Sequence, residues 1–352
     1  GMPFVFERSY NSRDGAGGPL GFGWTHNWNT SLAVDSDNNV TIRWGDGHTE
    51  TWSPDGVGGF VAQFGVFAAL IDDGGGVYTL RKKDLTEYHF DTSGQLISID
   101  DKNGNTITLS YTGTDLTQIT DTAGRTMTFT YDASSRITQI TDPISRTISY
   151  SYDANGDLVT ATDARSNTTT YTYDGNHQML TIVDPRLNTV VTNTYDASSR
   201  VVQYQTDAKG GGTSYVYDPA NRQTTITDAL GQNIVHRFDE LLRLIEEVDA
   251  SGNSRFYYYD SAGNRIQVTD KNGNANKYEY DVSGNVTKKT DALGKATNIA
   301  YFPDDNPQSR TDALGNTTAF AYDANGNLTT TTDALGNATT IAYFANGLPQ
   351  TI

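Results

Sequence analysis

Hydrophobic and polar residues alternate along most of this chain. In residues 126–131, Met127, Phe129 and Tyr131 occupy every second position, and threonine fills the positions between them. The same alternation returns in residues 147–152, where serine and threonine again separate the apolar positions. A period of two is typical of half-buried β-strands, whereas a helix would show a period of 3.6. The pattern therefore predicts an all-β fold whose strands have an apolar face and a threonine-rich face.

The strands belong to a repeat that is marked by aspartate. Starting from Asp121, equivalent aspartates follow every 21 residues, except for a step of 23 between Asp184 and Asp207. With an earlier copy at Asp101, twelve copies cover residues 101–352. A fixed period of this kind is the signature of a repeat architecture, and it should be interpreted before any local feature.

Each copy contains two turn signals with a strand after each, so we expect each copy to form one β-hairpin. The first, which we call the leading turn, reads D-x-x-G-N/R/K, and glycine holds its fourth position in nine of twelve copies. The second, the tyrosine turn, follows an aromatic residue that is tyrosine in eleven copies and Phe238 in one. Asp accepts hydrogen bonds from the backbone of such a turn, and Gly supplies its left-handed residue. Side by side, tandem 21-residue hairpins would form a curved or spiral β-sheet whose tyrosines stack as an aromatic ladder.

The first part of the chain does not follow this step. All four tryptophans precede residue 53, and glycine-rich turns separate short alternating segments there. We expect two regions: residues 1–95 as a small N-terminal β-domain that caps the array, and residues 96–352 as the array of about twelve repeats. Residues 240–247 have helix-favouring side chains, but the unbroken phase favours a strand.

Composition limits what such an array can do. Only 36% of the residues are apolar, so the apolar surface must be spread in one thin layer. A formal charge of −17 disfavours nucleic acid and anionic membranes as partners. The chain has no cysteine, and no apolar run approaches the roughly 20 residues of a membrane span. An open curved wall is therefore expected, with no deep catalytic pocket.

The repeats resemble those of the Rhs/YD-repeat family. The residues that carry this resemblance are serial Tyr-Asp-x-x-Gly units at residues 152–156 and 280–284, alternating with Asp-x-x-Gly-Asn units. Residues 8–13 and 18–24 are similar to the domain that precedes the repeats in many Rhs proteins. The resemblance implies a spiral shell on a secreted or cell-surface protein. Such a shell encloses a C-terminal effector in toxin branches and serves adhesion in teneurins.

The resemblance does not extend to the family's self-cleaving core. None of the Asp-Pro pairs of this chain continues as Asp-Pro-x-Gly. The implied function is therefore a non-catalytic structural shell segment. The implied partners are a C-terminal effector domain or a surface glycan, and the alternative is an adhesion or carbohydrate-binding module.

Sites for catalysis, metals and cofactors are not predicted. Asp153, Asn155 and Asp157 have the alternate spacing of a calcium loop, but the bidentate glutamate at position twelve is missing and turn chemistry explains the pattern. His48 and Glu50 share one strand face, although a catalytic pair would also need a cleft. His236 falls on a ladder position.

The candidate ligand-contact residues are Phe256 and Tyr258. Both project to the face that is threonine-rich in other copies, where Arg237 and Glu279 also lie. Large aromatic side chains on an otherwise polar face are typical of a contact surface.

Overall fold

The structure is a computed structural model that describes residues 2–196 and 202–351. Every regular element in these residues is a β-strand, which confirms the all-β prediction. No described segment forms a helix that could cross a membrane.

The N-terminal region forms small sheets in the order β1–β4, β2–β3 and β5–β6–β7–β8. Its strands are β1 (Arg8–Tyr10), β2 (Gly17–Gly18), β3 (Gly21–Phe22), β4 (Trp24–His26), β5 (Ser31–Val34), β6 (Val40–Arg43), β7 (Thr49–Pro54) and β8 (Phe60–Ala62).

One long antiparallel sheet follows, in which each strand pairs with the next strand of the chain from β9 to β35. Its first half contains β9 (Ala69–Gly74), β10 (Val77–Arg81), β11 (Glu87–Phe90), β12 (Leu96–Asp100), β13 (Thr106–Thr112), β14 (Asp115–Thr120), β15 (Thr126–Tyr131), β16 (Ile137–Thr141), β17 (Thr147–Tyr152), β18 (Leu158–Thr162), β19 (Thr168–Tyr173), β20 (Met179–Val183) and β21 (Thr189–Tyr195).

The second half contains β22 (Val202–Asp207), β23 (Gly212–Asp218), β24 (Gln223–Thr227), β25 (Asn233–Phe238), β26 (Leu244–Val248), β27 (Ser254–Tyr259), β28 (Arg265–Thr269), β29 (Ala275–Tyr280), β30 (Val286–Thr290), β31 (Ala296–Tyr301), β32 (Pro307–Thr311), β33 (Thr317–Tyr322), β34 (Leu328–Thr332) and β35 (Ala338–Thr340). A terminal hairpin pairs β36 (Ala342–Tyr343) with β37 (Pro349–Thr351).

The long sheet already contains residues 69–90, upstream of the expected division between residues 95 and 96. Because the sheet crosses this point, the division of the chain into two domains between residues 95 and 96 remains a proposal. Within residues 240–247 the strand begins only at Leu244, because Asp239 opens the tyrosine turn of this repeat. The strand interpretation is thus wrong for residues 240–243, where the turn signal outweighs the apolar pattern.

Turn chemistry repeats along both edges of the sheet. At the leading turn of Asp121, the carboxylate Oδ1 accepts hydrogen bonds from the backbone N–H of Ala123 and Arg125 at 3.0 and 2.9 Å. The fourth residue has a positive φ, which is 79° at Gly294 and 66° at Leu187. Since this left-handed conformation costs glycine little, glycine prevails there.

In most of the described repeats, the tyrosine that ends the ladder strand binds the preceding hairpin through its hydroxyl. Tyr131 Oη donates to the backbone carbonyl of Leu116 at 2.8 Å, and Tyr280 Oη donates to that of Arg265 at 2.9 Å. The same bond, to a carbonyl 15 residues earlier, recurs at Tyr111, Tyr152, Tyr217, Tyr259, Tyr301 and Tyr343. The repeat tyrosine therefore links neighbouring hairpins as well as filling the ladder.

The N-terminal region covers the ladder face of the first repeats only. Trp24 packs edge-on against Tyr171, and the Arg8 guanidinium lies 5.4 Å from the ring centre of Tyr150. Among the described residues, the buried apolar cluster extends from Leu20 to Met179. Ladder residues of later strands, such as Tyr257 in β27, remain partly exposed.

The sheet coils back on itself, so that its last hairpins stack on its first. Lys83 Nζ donates to the carbonyl of Ser283, and Lys102 Nζ donates to that of Gly326. Asn105 Nδ2 donates to the carbonyl of Asn346, and 241 residues separate these two asparagines. We call this contact between the two coils the seam. The expected open wall is therefore a spiral whose second coil rests on the first, and the terminal turn at Asn346 is covered by the chain's own first coil. Ile352 lies outside the described residues.

Candidate functional site

Phe256 and Tyr258 lie on β27 and project from the threonine face, opposite the ladder. Their side chains are 36% and 47% exposed. Phe256 pairs across the sheet with Glu246 and Thr269, and Tyr258 pairs with Gln267. The two side chains thus form an exposed aromatic surface with a polar border.

Ion pairs surround this aromatic surface. Arg237 binds Glu246, whose other oxygen accepts a hydrogen bond from Ser254 Oγ at 2.6 Å. The bond from Ser254, opposed by partial burial and assisted by Arg237, lowers the pKa of Glu246. On the other side, Lys288 Nζ lies 2.8 Å from Glu279 Oε1. These charges are paired with each other.

His48 and Glu50 are brought together, but each is engaged elsewhere. His48 Nδ1 lies 2.6 Å from Asp46 Oδ1, while its Nε2 lies 3.9 Å from Glu50 Oε1. The indole N–H of Trp44 donates to Glu50 at 2.9 Å. This cluster borders a cavity of about 690 Å³ that Lys82 also lines.

Lys82 and the rings around it were missed by the sequence reasoning. The Lys82 ammonium lies 4.3 Å from the ring centre of Trp44 and 4.7 Å from that of Tyr88. Trp44 and Tyr88 meet edge to face at 5.2 Å. The only available signal was a tryptophan at a hairpin tip, because Lys82 and Tyr88 come from another sheet.

A second cavity, of about 560 Å³, separates the N-terminal region from the tyrosine-turn edge of the array. Its wall includes His26, Arg43 and Arg136. Burial lowers the pKa of His26 to about 3, so this imidazole is neutral at physiological pH. Its ring lies between Phe6 and Phe129, at 5.1 and 6.3 Å between ring centres. His26 therefore acts here mainly as a packing residue.

The aspartates with calcium-like spacing are engaged by their own turn. Asp153 Oδ1 accepts hydrogen bonds from the backbone N–H of Asn155 and Asp157, both at 2.9 Å. The Asp157 carboxylate contacts His177 Nδ1 at 2.9 Å, and Phe22 stacks on that imidazole. Burial raises the pKa of Asp157, although the bond to His177 opposes this effect. His236 shares the ladder face with Phe238, whose ring it meets edge to face.

Family models match three parts of the chain, and the longest match is to a repeat shell. The teneurin YD-shell family model matches residues 114–305, which is 192 of the 352 residues. The RHS repeat model matches residues 303–338, and a domain of unknown function, DUF6531, matches residues 1–52. The comparison with curated proteins found no match.

Solved structures share the fold at low sequence identity. The crystal structure of TcdB2-TccC3 without its hypervariable C-terminal region matches with a TM-score of 0.51 and 12% identity, over 97% of this chain. The TcdB2-TccC3-Cdc42 crystal structure gives a TM-score of 0.51 and 12% identity over 98% of this chain. In both cases the match covers 22% of the other chain, so this chain spans about a fifth of those proteins.

Proposed function

Because the chain belongs to the Rhs and teneurin YD-shell family of repeat proteins, we propose that it is a non-catalytic segment of a secreted or surface shell, which encloses or presents another protein domain. The observation that carries this proposal is the unequal cover of the ladder face. Tyr150 and Tyr171 are buried under the N-terminal region, whereas Tyr257 and Tyr278 remain partly exposed. A row of partly exposed tyrosines gives an enclosed domain a broad contact surface.

The carboxylates support a non-catalytic role. General acid–base chemistry needs a carboxyl group whose pKa is close to the working pH. The repeat aspartates instead accept hydrogen bonds within their own turns, as Asp312 does from Asn316 and Leu314. The side-chain amide of Asn316, followed by its backbone N–H, lowers the pKa of Asp312. These carboxylates stabilise the turns in which they lie.

Enclosure is tested with a protease-sensitive reporter domain fused behind residue 351. We expect trypsin to digest the tethered reporter more slowly than the free reporter, because the ladder face contacts it. Tyr257→Lys should remove part of this protection, and Tyr258→Lys, on the opposite face, should leave it unchanged. Equal digestion of tethered and free reporter would contradict enclosure by this chain.

A second function rests on Phe256 and Tyr258. Their exposure on a face of paired charges favours contact with a surface glycan, because sugar rings stack on aromatic side chains through their apolar faces. On a glycan array, we expect the double variant Phe256→Ala/Tyr258→Ala to lose any binding of the parent chain. Thr170→Ala, on the same face but distant from the patch, should retain it. Binding that survives the double variant, or its absence from the parent, would exclude this surface.

A further inference from the structure

The fourth position of the two turns has different surroundings along the two edges of the sheet. At the leading turns, a Cβ added to the glycine would meet no atom within 4 Å. This holds for all nine such glycines: Gly104, Gly124, Gly210, Gly231, Gly252, Gly273, Gly294, Gly315 and Gly336. Glycine at the leading turn therefore serves the backbone conformation alone.

Glycines at the tyrosine turns face another part of the chain instead. An added Cβ would collide with Phe64 at Gly263 and would lie 2.5 Å from the Phe67 ring at Gly284. The other four also have atoms within 3.3 Å: Gly94 meets the Leu32 carbonyl, Gly156 meets Arg136 and Phe22, Gly326 meets Asn306, and Gly347 meets Asn103. All six glycines at this position are thus in close contact.

Backbone conformation favours glycine at the tyrosine turns but does not require it. Ser135 and Leu242 hold the same fourth position with φ values of 57° and 59°, so the turn forms without glycine. Leu242 is 72% exposed. A side chain holds this position where it points into solvent, as Leu242 does, or where it makes the contact itself, as His177 does beneath Phe22. At the six glycines, another segment fills the space that a side chain would need.

We propose that glycine at the tyrosine turn is a docking notch, which accepts a side chain or backbone group from another segment of the shell. In this chain the notches at Gly263 and Gly284 receive Phe64 and Phe67 from the loop between β8 and β9. Two aromatic residues three positions apart thus engage two successive repeats, whose glycines are 21 residues apart. This pairing sets which hairpins of the second coil rest on the first.

Polar contacts accompany two of the notches, at Gly284 and Gly326. Lys83 lies with its ammonium 4.8 Å from the Phe67 ring centre, and it donates to the Ser283 carbonyl and, at 3.0 Å, to Asn285 Oδ1. Asn327 Nδ2 donates to Asn103 Oδ1 at 2.7 Å. Turn carbonyls attract cations, and the chain as a whole is strongly acidic. Lys83, and Lys102 at the turn of Gly326, therefore also lower the electrostatic repulsion between the two coils.

The test compares Gly284→Leu with Gly294→Leu. Both glycines have nearly the same φ, 76° and 79°, so leucine costs both turns the same backbone strain. Leucine already occupies a leading turn at Leu187, where it is 86% exposed. We expect Gly284→Leu to expel Phe67 and to speed hydrogen exchange of the Gln63 and Val66 amides about tenfold, which corresponds to about 1.4 kcal/mol. Gly294→Leu should leave their exchange unchanged.

A rescue variant separates docking from damage to the turn. Adding Phe67→Ala to Gly284→Leu makes room for the leucine, and we expect the loop to regain part of its protection. The same addition to Gly294→Leu should bring no gain. Equal exchange in the two leucine variants, or no rescue by Phe67→Ala, would overturn the docking role.

Discussion

At the residue scale, the repeat tyrosine combines two stabilising contacts in one side chain. Its ring belongs to the ladder, and its hydroxyl binds a carbonyl of the preceding hairpin. Phe238 keeps the first contact without the second. Each hairpin contacts only its neighbours, so the stability of this thin apolar layer is the sum of many small free-energy contributions of this kind.

Tyr150→Ala tests the ladder. Tyr150 is 7% exposed and lies beneath the Arg8 guanidinium, so its truncation leaves a cavity in a layer that has no second core. We expect a loss of about 3 kcal/mol in the free energy of unfolding, measured by denaturant titration. Ser149→Ala, on the exposed face, should cost little. Similar losses in the two variants would mean that the faces are wrongly assigned.

Tyr131→Phe tests the hydroxyl separately from the ring. The Leu116 carbonyl loses its partner, so we expect a loss of about 1 kcal/mol. Tyr258→Phe is the matched control, because that side chain lies on the exposed threonine face. Equal stability of both variants and the parent would show that the hydroxyl bonds contribute nothing to folding.

At the element scale, the hairpin depends on its aspartates. Amide hydrogen bonds from the asparagine four residues later, followed by backbone N–H groups, lower the pKa of Asp270, Asp312 and Asp333. A hydrogen bond from Lys271, followed by the Asn253 backbone, lowers the pKa of Asp249 to about 2. An aspartate in the unfolded chain has a pKa of about 3.9. Because the folded pKa values are lower, these carboxylates stabilise the fold above that pH.

Acid titration follows from the depressed pKa values. Stability should be complete above about pH 4 and should fall as the pH drops towards 2, since the folded carboxylates must then take up protons. Thermal unfolding between pH 5 and pH 2 measures this effect. Asp312→Asn with Asp333→Asn should make the pH dependence shallower. A melting temperature that stays constant to pH 2 would contradict the role of these carboxylates.

Removal of divalent ions should not affect the hairpins. The Asp153 carboxylate already accepts two backbone hydrogen bonds, and Asp157 binds His177. We expect EDTA to leave the melting temperature unchanged. A clear decrease, reversed by calcium, would show that these turns bind the ion.

At the scale of the whole molecule, the fold is far from compact. Its accessible surface is 19350 Å², whereas a compact globule of 38.3 kDa would expose about 14,000 Å². The surplus agrees with a coiled sheet that is one layer thick. It also explains why 36% apolar residues suffice for a chain of this length.

Small-angle scattering measures this openness in dilute solution. Globular scaling gives a radius of gyration of about 20 Å for this length, and we expect a clearly larger value. A radius near 20 Å would show that the spiral collapses in solution.

The sequence by itself determined the strands, their faces and their order. Period-two alternation separates Phe129 from Thr128, and the turn aspartates recur with the repeat, because these patterns reflect contacts within one hairpin or between neighbours. The same alternation placed Phe256 and Tyr258 together on the threonine face, and the register agrees.

Only the tertiary structure decided how the sheet coils and what covers it. The twist between neighbouring strands, added over many strands, sets the number of hairpins in each coil. This cumulative twist cannot be read from the type of any single residue. Contacts such as Lys102 with Gly326 join residues 224 positions apart, and the repeats offer many nearly equivalent partners at that range. The cover of Tyr171 by Trp24, and the notches at Gly263 and Gly284, depend on this coiling. Local periodicity carries no information about which coil lies next to which.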